Sequence, residues 1–445
     1  MTGHRPYDEY KSVNISWLDK IPSSWTLSKL KYGLSEIGSG GTPDTSVSDN
    51  WANNETDGYP WIAIADMTGN SRITTTEKRI TQKGFDEKRL TLWPEGTLLF
   101  SMYASLGTVS ELGVASCTNQ AILALVTGKD VSQAYLKWWL ISIQPYLIEG
   151  ASSNTQANLN AEKVKNLPLL KPSHAEQQNI VSFLDRETSK IDELIKKQER
   201  LIELIEEKIT SVIDTFVTKG LDKSAPLKMT KFQTLGEVPS HWDVLQIKRI
   251  VSTPVTDGPH ETPVFLDEGV PFISAEAISK GFINFDKIRG FISPELNELY
   301  SRKYSPKLHD IYMVKSGATT GVTAIVEDKT NFNIWSPLAV IRCSKRMNPY
   351  YVLHAMRSKY FQEMVSLSWS FGTQQNIGMG VIENLCLPVP TKEEQDAIVL
   401  KINSVLDDLK PLRDKAFSGI LLLKEHRASL ISAAVTGKID VREMA

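Results

Sequence analysis

One register is written through this chain twice, and it restricts the fold more than any single motif. Ile21-Pro22-Ser23-Ser24-Trp25 returns as Val238-Pro239-Ser240-His241-Trp242, 217 positions later. Each tryptophan is followed six residues on by a lysine (Lys31, Lys248), with Leu30 or Ile247 before it. Thr155-Gln156-Ala157-Asn158-Leu159 returns as Thr373-Gln374-Gln375-Asn376-Ile377, 218 positions later, and that offset holds without a gap for over sixty residues. It aligns Asn166-Leu167 with Asn384-Leu385, Pro172 with Pro390, Glu176-Gln177 with Glu394-Gln395, and Val217-Thr218 with Val435-Thr436. Chance matches do not keep one register over such a distance, so the chain is two copies of one unit. Its 445 residues also exceed a single comfortable core.

Between the anchored ends the copies diverge. Tyr59-Pro60-Trp61-Ile62 resembles Val270-Pro271-Phe272-Ile273, and Gly96 to Phe100 resembles Asp310 to Val314, but at offsets of 211 and 214 that require short surface insertions. Two frames with unlike middles are what two different recognition tasks would need; drift after duplication would leave the same pattern.

Short apolar runs bounded by Gly, Pro, Asn and Asp predict strands at Trp61 to Ile64, Leu98 to Phe100, Ala121 to Val126, Ile311 to Val314 and Leu338 to Ile341. Helices are expected at Tyr135 to Leu147 and Tyr351 to Leu367, so each globular half reads as α+β. From Ala175 to about Val217 there is neither Gly nor Pro, and apolar residues fall on two seven-residue series. Leu184, Ile191, Ile205 and Val212 carry one; Ile195, Ile202 and Ile209 carry the other, with Thr188 in phase. Their alternating spacing is the seam of a coiled coil, on a rod of roughly 60 Å. The second copy keeps the phase through Ile402, Leu409, Leu423 and Leu430, and through Leu406 and Ile420. Arg413 and Arg427 interrupt that seam, Gly419 weakens it, and Pro411 is expected to kink or locally break the helix. A stripe of this kind needs a partner, most economically the other helix. The expected order is an N-terminal segment (1–20), a globular domain (21–172), a long helix (173–222), a linker (223–237), a second globular domain (238–390) and a second long helix (391–440).

Composition excludes several classes. A net charge of −2 argues against gripping nucleic acid by bulk charge, so basic residues must be sorted onto one face or a partner must complete the clamp. No run of eighteen apolar residues exists, and the N-terminal stretch with His4, Asp8, Glu9 and Lys11 has no apolar signal core. Cys117, Cys343 and Cys386 lie far apart, which suits a reducing cytoplasm. They form no Cys-x-x-Cys pair, and no His-Glu-x-x-His occurs, so no metal site is expected.

The doubled Pro-Ser-x-Trp openings, Thr-Gln-x-Asn loops, Glu-Gln pairs and Val-Thr exits together resemble the specificity subunits of Type I restriction-modification enzymes, over nearly the whole chain. The resemblance implies two target-recognition domains held apart by an antiparallel coiled coil of the long helices, a pseudo-twofold repeat. It implies a non-catalytic chain that binds double-stranded DNA at a bipartite asymmetric site, each domain reading one half-site and the helices setting the gap. It further implies two modification (adenine methyltransferase) subunits docked on the helices, and restriction subunits for translocation and cleavage. No cofactor is expected on this chain; S-adenosylmethionine, ATP and Mg are expected on the partners.

The Thr-Gln-x-Asn loops (Thr155, Gln156, Asn158; Thr373, Gln374, Gln375, Asn376) are the first candidates for DNA contact, since amides bond base edges or phosphate. Their likeness in both copies suits a shared phosphate or scaffold role. Sequence reading is expected where the copies differ: Ser101, Tyr103 and Ser105 in one, Lys315, Ser316 and Thr319 in the other. The Gly-rich turns Gly38-Ser39-Gly40-Gly41-Thr42-Pro43 and Thr256-Asp257-Gly258-Pro259-His260 can approach a phosphate closely. Trp25 and Trp242 read as core anchors rather than stacking platforms. Two rivals remain open on the residues alone. Asn348-Pro349-Tyr350-Tyr351 resembles part of an adenine methyltransferase motif, though it lacks the second proline and a preceding apolar strand; a coiled-coil adaptor without DNA role is the other.

Overall fold

The computed structural model describes residues 5–54, 57–103, 105–152, 159–369 and 376–443. They cluster into two compact units: residues 1–198 together with 418–445, and residues 199–417.

The first unit is built on a five-stranded sheet ordered Leu34–Ser39, Ile122–Thr127, Leu98–Ser101, Val109–Leu112 and Arg72–Ile73. All neighbours are antiparallel except the last pair. A smaller sheet sets Tyr59–Ile62 between Cys117–Thr118 and Lys78–Ile80. The second unit repeats the design. Thr256–Asp257, Leu338–Ile341, Ile311–Val314 and Thr323–Ile325 form the main sheet, and Val270–Ile273 lies between Gly290–Ile292 and Asn333–Ile334. Leu98–Ser101 and Ile311–Val314 bury every residue, which is why they read as unbroken apolar runs rather than alternating ones. Two expected elements shift. Ile64 leaves its strand to open a short helix, Ile64–Met67. The helix expected over 351–367 is two, Pro349–Arg357 and Lys359–Leu367, because Ser358 takes extended backbone (ψ 155°) and its hydroxyl donates to the Ala355 carbonyl.

The long helices span His174–Lys219 and Lys392–Val435. In the first unit, the beginning of the first helix lies with the end of the second: Leu184, Ile191, Ile195, Ile420 and Leu430 are buried there, and Asp192 pairs with Arg427 at 2.8 Å. The second unit takes the opposite ends. Ile213, Val217, Ile398, Val399 and Ile402 share one core, with Ile209, Phe216 and Leu406 at its margin. Opposite ends meeting in both units is antiparallel pairing. Ile205 is buried, while Ile202, Val212, Leu409 and Leu423 are half-buried.

Pro411 does not break the second helix, which runs on through Gly419. Pro411 sits on the exposed face, so its ring displaces no seam contact. The seam arginines are accommodated too. Arg427 bonds Asp192 and lies over the Trp138 ring at 5.9 Å, and Arg413 turns to Asp414.

The stretches expected as an N-terminal segment and a linker both carry strand. Tyr10–Ile15 pairs with Leu18–Pro22, and Leu227–Met229 with Glu237–Pro239. In the first unit the Tyr10 hydroxyl donates to the Gly437 carbonyl at 2.9 Å, and the Asp440 N–H to the Arg5 carbonyl at 2.8 Å. Among the described residues no helix is long and apolar enough to cross a membrane.

Candidate nucleic-acid interface

Each globular half is fastened to a long helix by the same small set of residues. Trp25 and Trp242 are fully buried, and their indole N–H groups donate to Glu176 (3.1 Å) and Glu394 (3.3 Å) at the helix starts. Burial opposes the Glu394 charge, but bonds from His241 and Trp242 hold its carboxyl below the usual range. The next residue ties down the loop before a domain helix. Gln177 accepts from Ser132 N–H (2.8 Å) and donates to the Asp130 and Pro172 carbonyls; Gln395 accepts from Asn348 N–H (2.8 Å) and donates to those of Arg346 and Pro390. Two glycines close the mounting from the other side. Gly220 and Gly437 hold φ of 75° and 72°, and a Cβ on them would press Trp242 at 3.0 Å and Pro22 at 2.4 Å.

This mounting also disposes of the methyltransferase motif. Asn348 is the N-cap of Pro349–Arg357, accepting from the Tyr350 and Tyr351 N–H groups, and its amide donates to Asp396. Tyr351 is buried, donating to the Pro388 carbonyl as Tyr135 donates to that of Leu170. Burial pushes the Cys117 and Cys343 thiols up to about 12, away from nucleophilic use. Among the described residues no cluster of three or more His, Cys, Asp or Glu is placed to hold a metal.

At one edge of each main sheet the candidate loops converge. In the first unit the Gly41 N–H donates to the Thr118 carbonyl, and a Cβ on Gly40 would stand 1.6 Å from that oxygen, so only glycine permits the approach. Thr42 donates to Gln120 at 2.6 Å. The turn after Leu98–Ser101 rests on the same strand exit, Met102 N–H donating to the Ala121 carbonyl, and Ser105 adopts φ 59° to close it. Tyr103 and Ser105 are exposed. Ser101 is buried, its hydroxyl donating to the Tyr103 carbonyl at 2.8 Å, so it shapes the turn and offers no surface to DNA.

In the second unit Ser336 N–H donates to Pro259, Lys315 N–H to Pro337, and Ile377 N–H back to Lys315, while Ser316 bridges Asn376. Three loops that are remote in sequence thus meet: 257–260, 315–319 and 376–377. A Cβ on Gly258 would meet the Ile334 carbonyl at 2.1 Å. Ser316 and Thr319 are half-exposed, His260 is exposed, and His260 Nε2 lies 3.1 Å from Asp257. Lys315, expected as a loop lysine, is mostly buried and pairs with Asp257 at 2.7 Å; Lys303 holds the other carboxylate oxygen at 2.7 Å. Sequence reasoning missed Asp257 as a charge centre and missed Lys303 altogether. Asp257 was visible only as one member of a Gly-rich turn, and nothing in the run around Lys303 marks it. Thr155, Gln156, Asn158, Thr373, Gln374 and Gln375 lie outside the described residues.

The DNA specificity domain of Type I restriction modification matches this chain twice, over residues 22–204 and 239–412. The chain is 25% identical to the Type I restriction enzyme MjaIX specificity subunit of Methanocaldococcus jannaschii, across 98% of each chain. It is 22% identical to the EcoBI specificity subunit of Escherichia coli, across 96% of this chain and 89% of that one. A solved chain from work on complex assembly and conformational transition of the type I R-M system has the same fold, with a TM-score of 0.68 over 94% of this chain and 99% of that chain at 14% identity.

Proposed function

This chain belongs to the Type I restriction modification DNA specificity family, and from that membership we propose that its two domains each read one half of a split DNA site. It is the non-catalytic specificity subunit of such a system, and DNA and the other subunits are its partners. In the reading advanced here, the paired helices set the gap between half-sites and dock two modification subunits. S-adenosylmethionine, ATP and Mg are then handled by the modification and restriction subunits.

One observation carries the reading: the segment after the central strand hangs on the same backbone bond in both units, Met102 N–H to the Ala121 carbonyl and Lys315 N–H to the Pro337 carbonyl, with a Gly-containing turn beside it, yet the side chains set there differ. Shared scaffold with unlike furnishing is what independent half-site readers require, because phosphate contacts position while base contacts specify. The test is selection of double-stranded DNA by the assembled complex from a library randomised on both sides of a variable gap. Two blocks at one fixed gap are expected. Replacing residues 43–150 with a relative's equivalent should change one block and leave the other and the gap intact. Binding without selection would favour a coiled-coil adaptor, and change in both blocks would end independent reading.

A further inference from the structure

Strand register relates the two sheet edges residue by residue. Met313 pairs with Ala339 and Ala339 with Asp257; in the first unit Phe100 pairs with Leu123 and Leu123 with Ser39. Counted from those rungs, Lys315 takes the place of Met102, and Asp257 that of Ser39. A buried methionine beside a serine in one unit is therefore a lysine on a carboxylate in the other.

The charged version is built to hold still. Asp257 is 4% exposed, and both its oxygens are engaged: Oδ1 by Lys303 Nζ, Oδ2 by Lys315 Nζ and by His260 Nε2 at 3.1 Å. Burial pushes this carboxyl up, but the two ammonium groups more than offset it and keep it ionised. Lys303 also donates to the Gly258 carbonyl at 3.2 Å, so its head is fixed twice. Lys315 is clamped at its root by main-chain bonds to Pro337 and Ile377. Two lysines on one carboxylate leave a surplus positive charge where the first unit sets the uncharged Met102 and Ser39.

We propose that Lys315 is a specificity-determining residue of the second domain, donating to guanine O6 or N7 in its half-site, with Asp257 as its positioning residue and Lys303 on the flanking phosphate. This rests on the split-site reading above. Guanine is favoured at Lys315 because the adjacent carboxylate repels a phosphate, whereas a neutral base edge needs only a directed N–H donor. Lys303 bonds the other oxygen of the same carboxylate, but its side chain is 50% exposed against 13% for Lys315, so solvent screens that charge and leaves room for a phosphate.

The test uses the full complex and the randomised library. Wild type should require a guanine at one position of the second domain's half-site. K315M, which installs the first domain's residue, should lower discrimination for that guanine by about 10- to 100-fold at that position alone. K315Q should turn the preference there toward adenine. K303M should weaken binding to all sequences alike and lower the salt slope by about 1. Unchanged selection of the first half-site certifies that each variant is folded. The proposal fails if the second half-site contains no guanine, if K315M and K315Q leave every position's preference unchanged, or if K315M weakens all sequences uniformly. A wild-type complex that selects no split site would instead sink the parent reading.

Discussion

The fastening of each domain to its long helix can be tested at Gln177 and Gln395, because each unit serves as the other's control. The perturbation is Gln177→Met, nearly equal in volume and unable to make polar contacts. It removes one acceptor and two donors from a side chain that is fully buried, and strands the Ser132 N–H and the Asp130 and Pro172 carbonyls. One of those three bonds is wholly buried and two are part-buried, so water recovers some of the loss. At about 1 kcal/mol for each bond, the expected cost is about 2–3 kcal/mol. Native-state hydrogen exchange reads this locally. The amides of the helix Gln133–Ser152 should lose about that much protection, a rise of roughly 30- to 150-fold in exchange rate, while those of Pro349–Arg357 are unaffected. Gln395→Met should mirror the result in the other unit, since its bonds are matched in kind, the one to the Arg346 carbonyl being longer at 3.3 Å. A loss below about 0.5 kcal/mol in both variants, or loss spread equally over both units from one substitution, would refute the fastening argument.

Other substitutions probe other links. Asp310 is buried and accepts from Arg342 twice at 2.7 Å, from the Tyr304 hydroxyl and from the Lys307 N–H, so Asp310→Asn strands a guanidinium and should cost about 3–5 kcal/mol in urea unfolding of the second unit. Burial, with Arg357 and Lys410 nearby, pushes the His354 imidazole down to about 4. The unfolded chain then binds the extra proton, so the second unit should be fully stable above pH 6.5 and lose about 3 kcal/mol as pH falls toward 4. His354→Phe should flatten that slope, and an unchanged slope would show that other groups cause it.

The repeat, the buried central strands and the helical seam were legible because each is a long pattern in which errors average out. Leu184, Ile191 and Ile205 fell buried as their spacing implied. Single positions were less legible. Pro411 was expected to damage the second helix, but its cost depends on which face it occupies. The division of 351–367 at Ser358 has no breaker residue to announce it. At the sheet edge, the Asp257 cluster joins residues up to 58 apart that only folding brings together, so no spacing rule reveals it. Ser101 failed as a surface candidate for a related reason: its strand is buried through its last residue, and nothing in the sequence marks where that burial stops.

Segments 5–10 and 437–440 meet within the first unit, where Arg5 and Asp440 are joined by a main-chain bond and Tyr10 reaches Gly437. In the second unit the matching strands, Leu227–Met229 and Glu237–Pro239, follow Gly220 along an unbroken chain. The same closure thus spans 427 residues of chain in the first unit but only neighbouring strands in the second, so its loop-closure entropy is far from equal in the two.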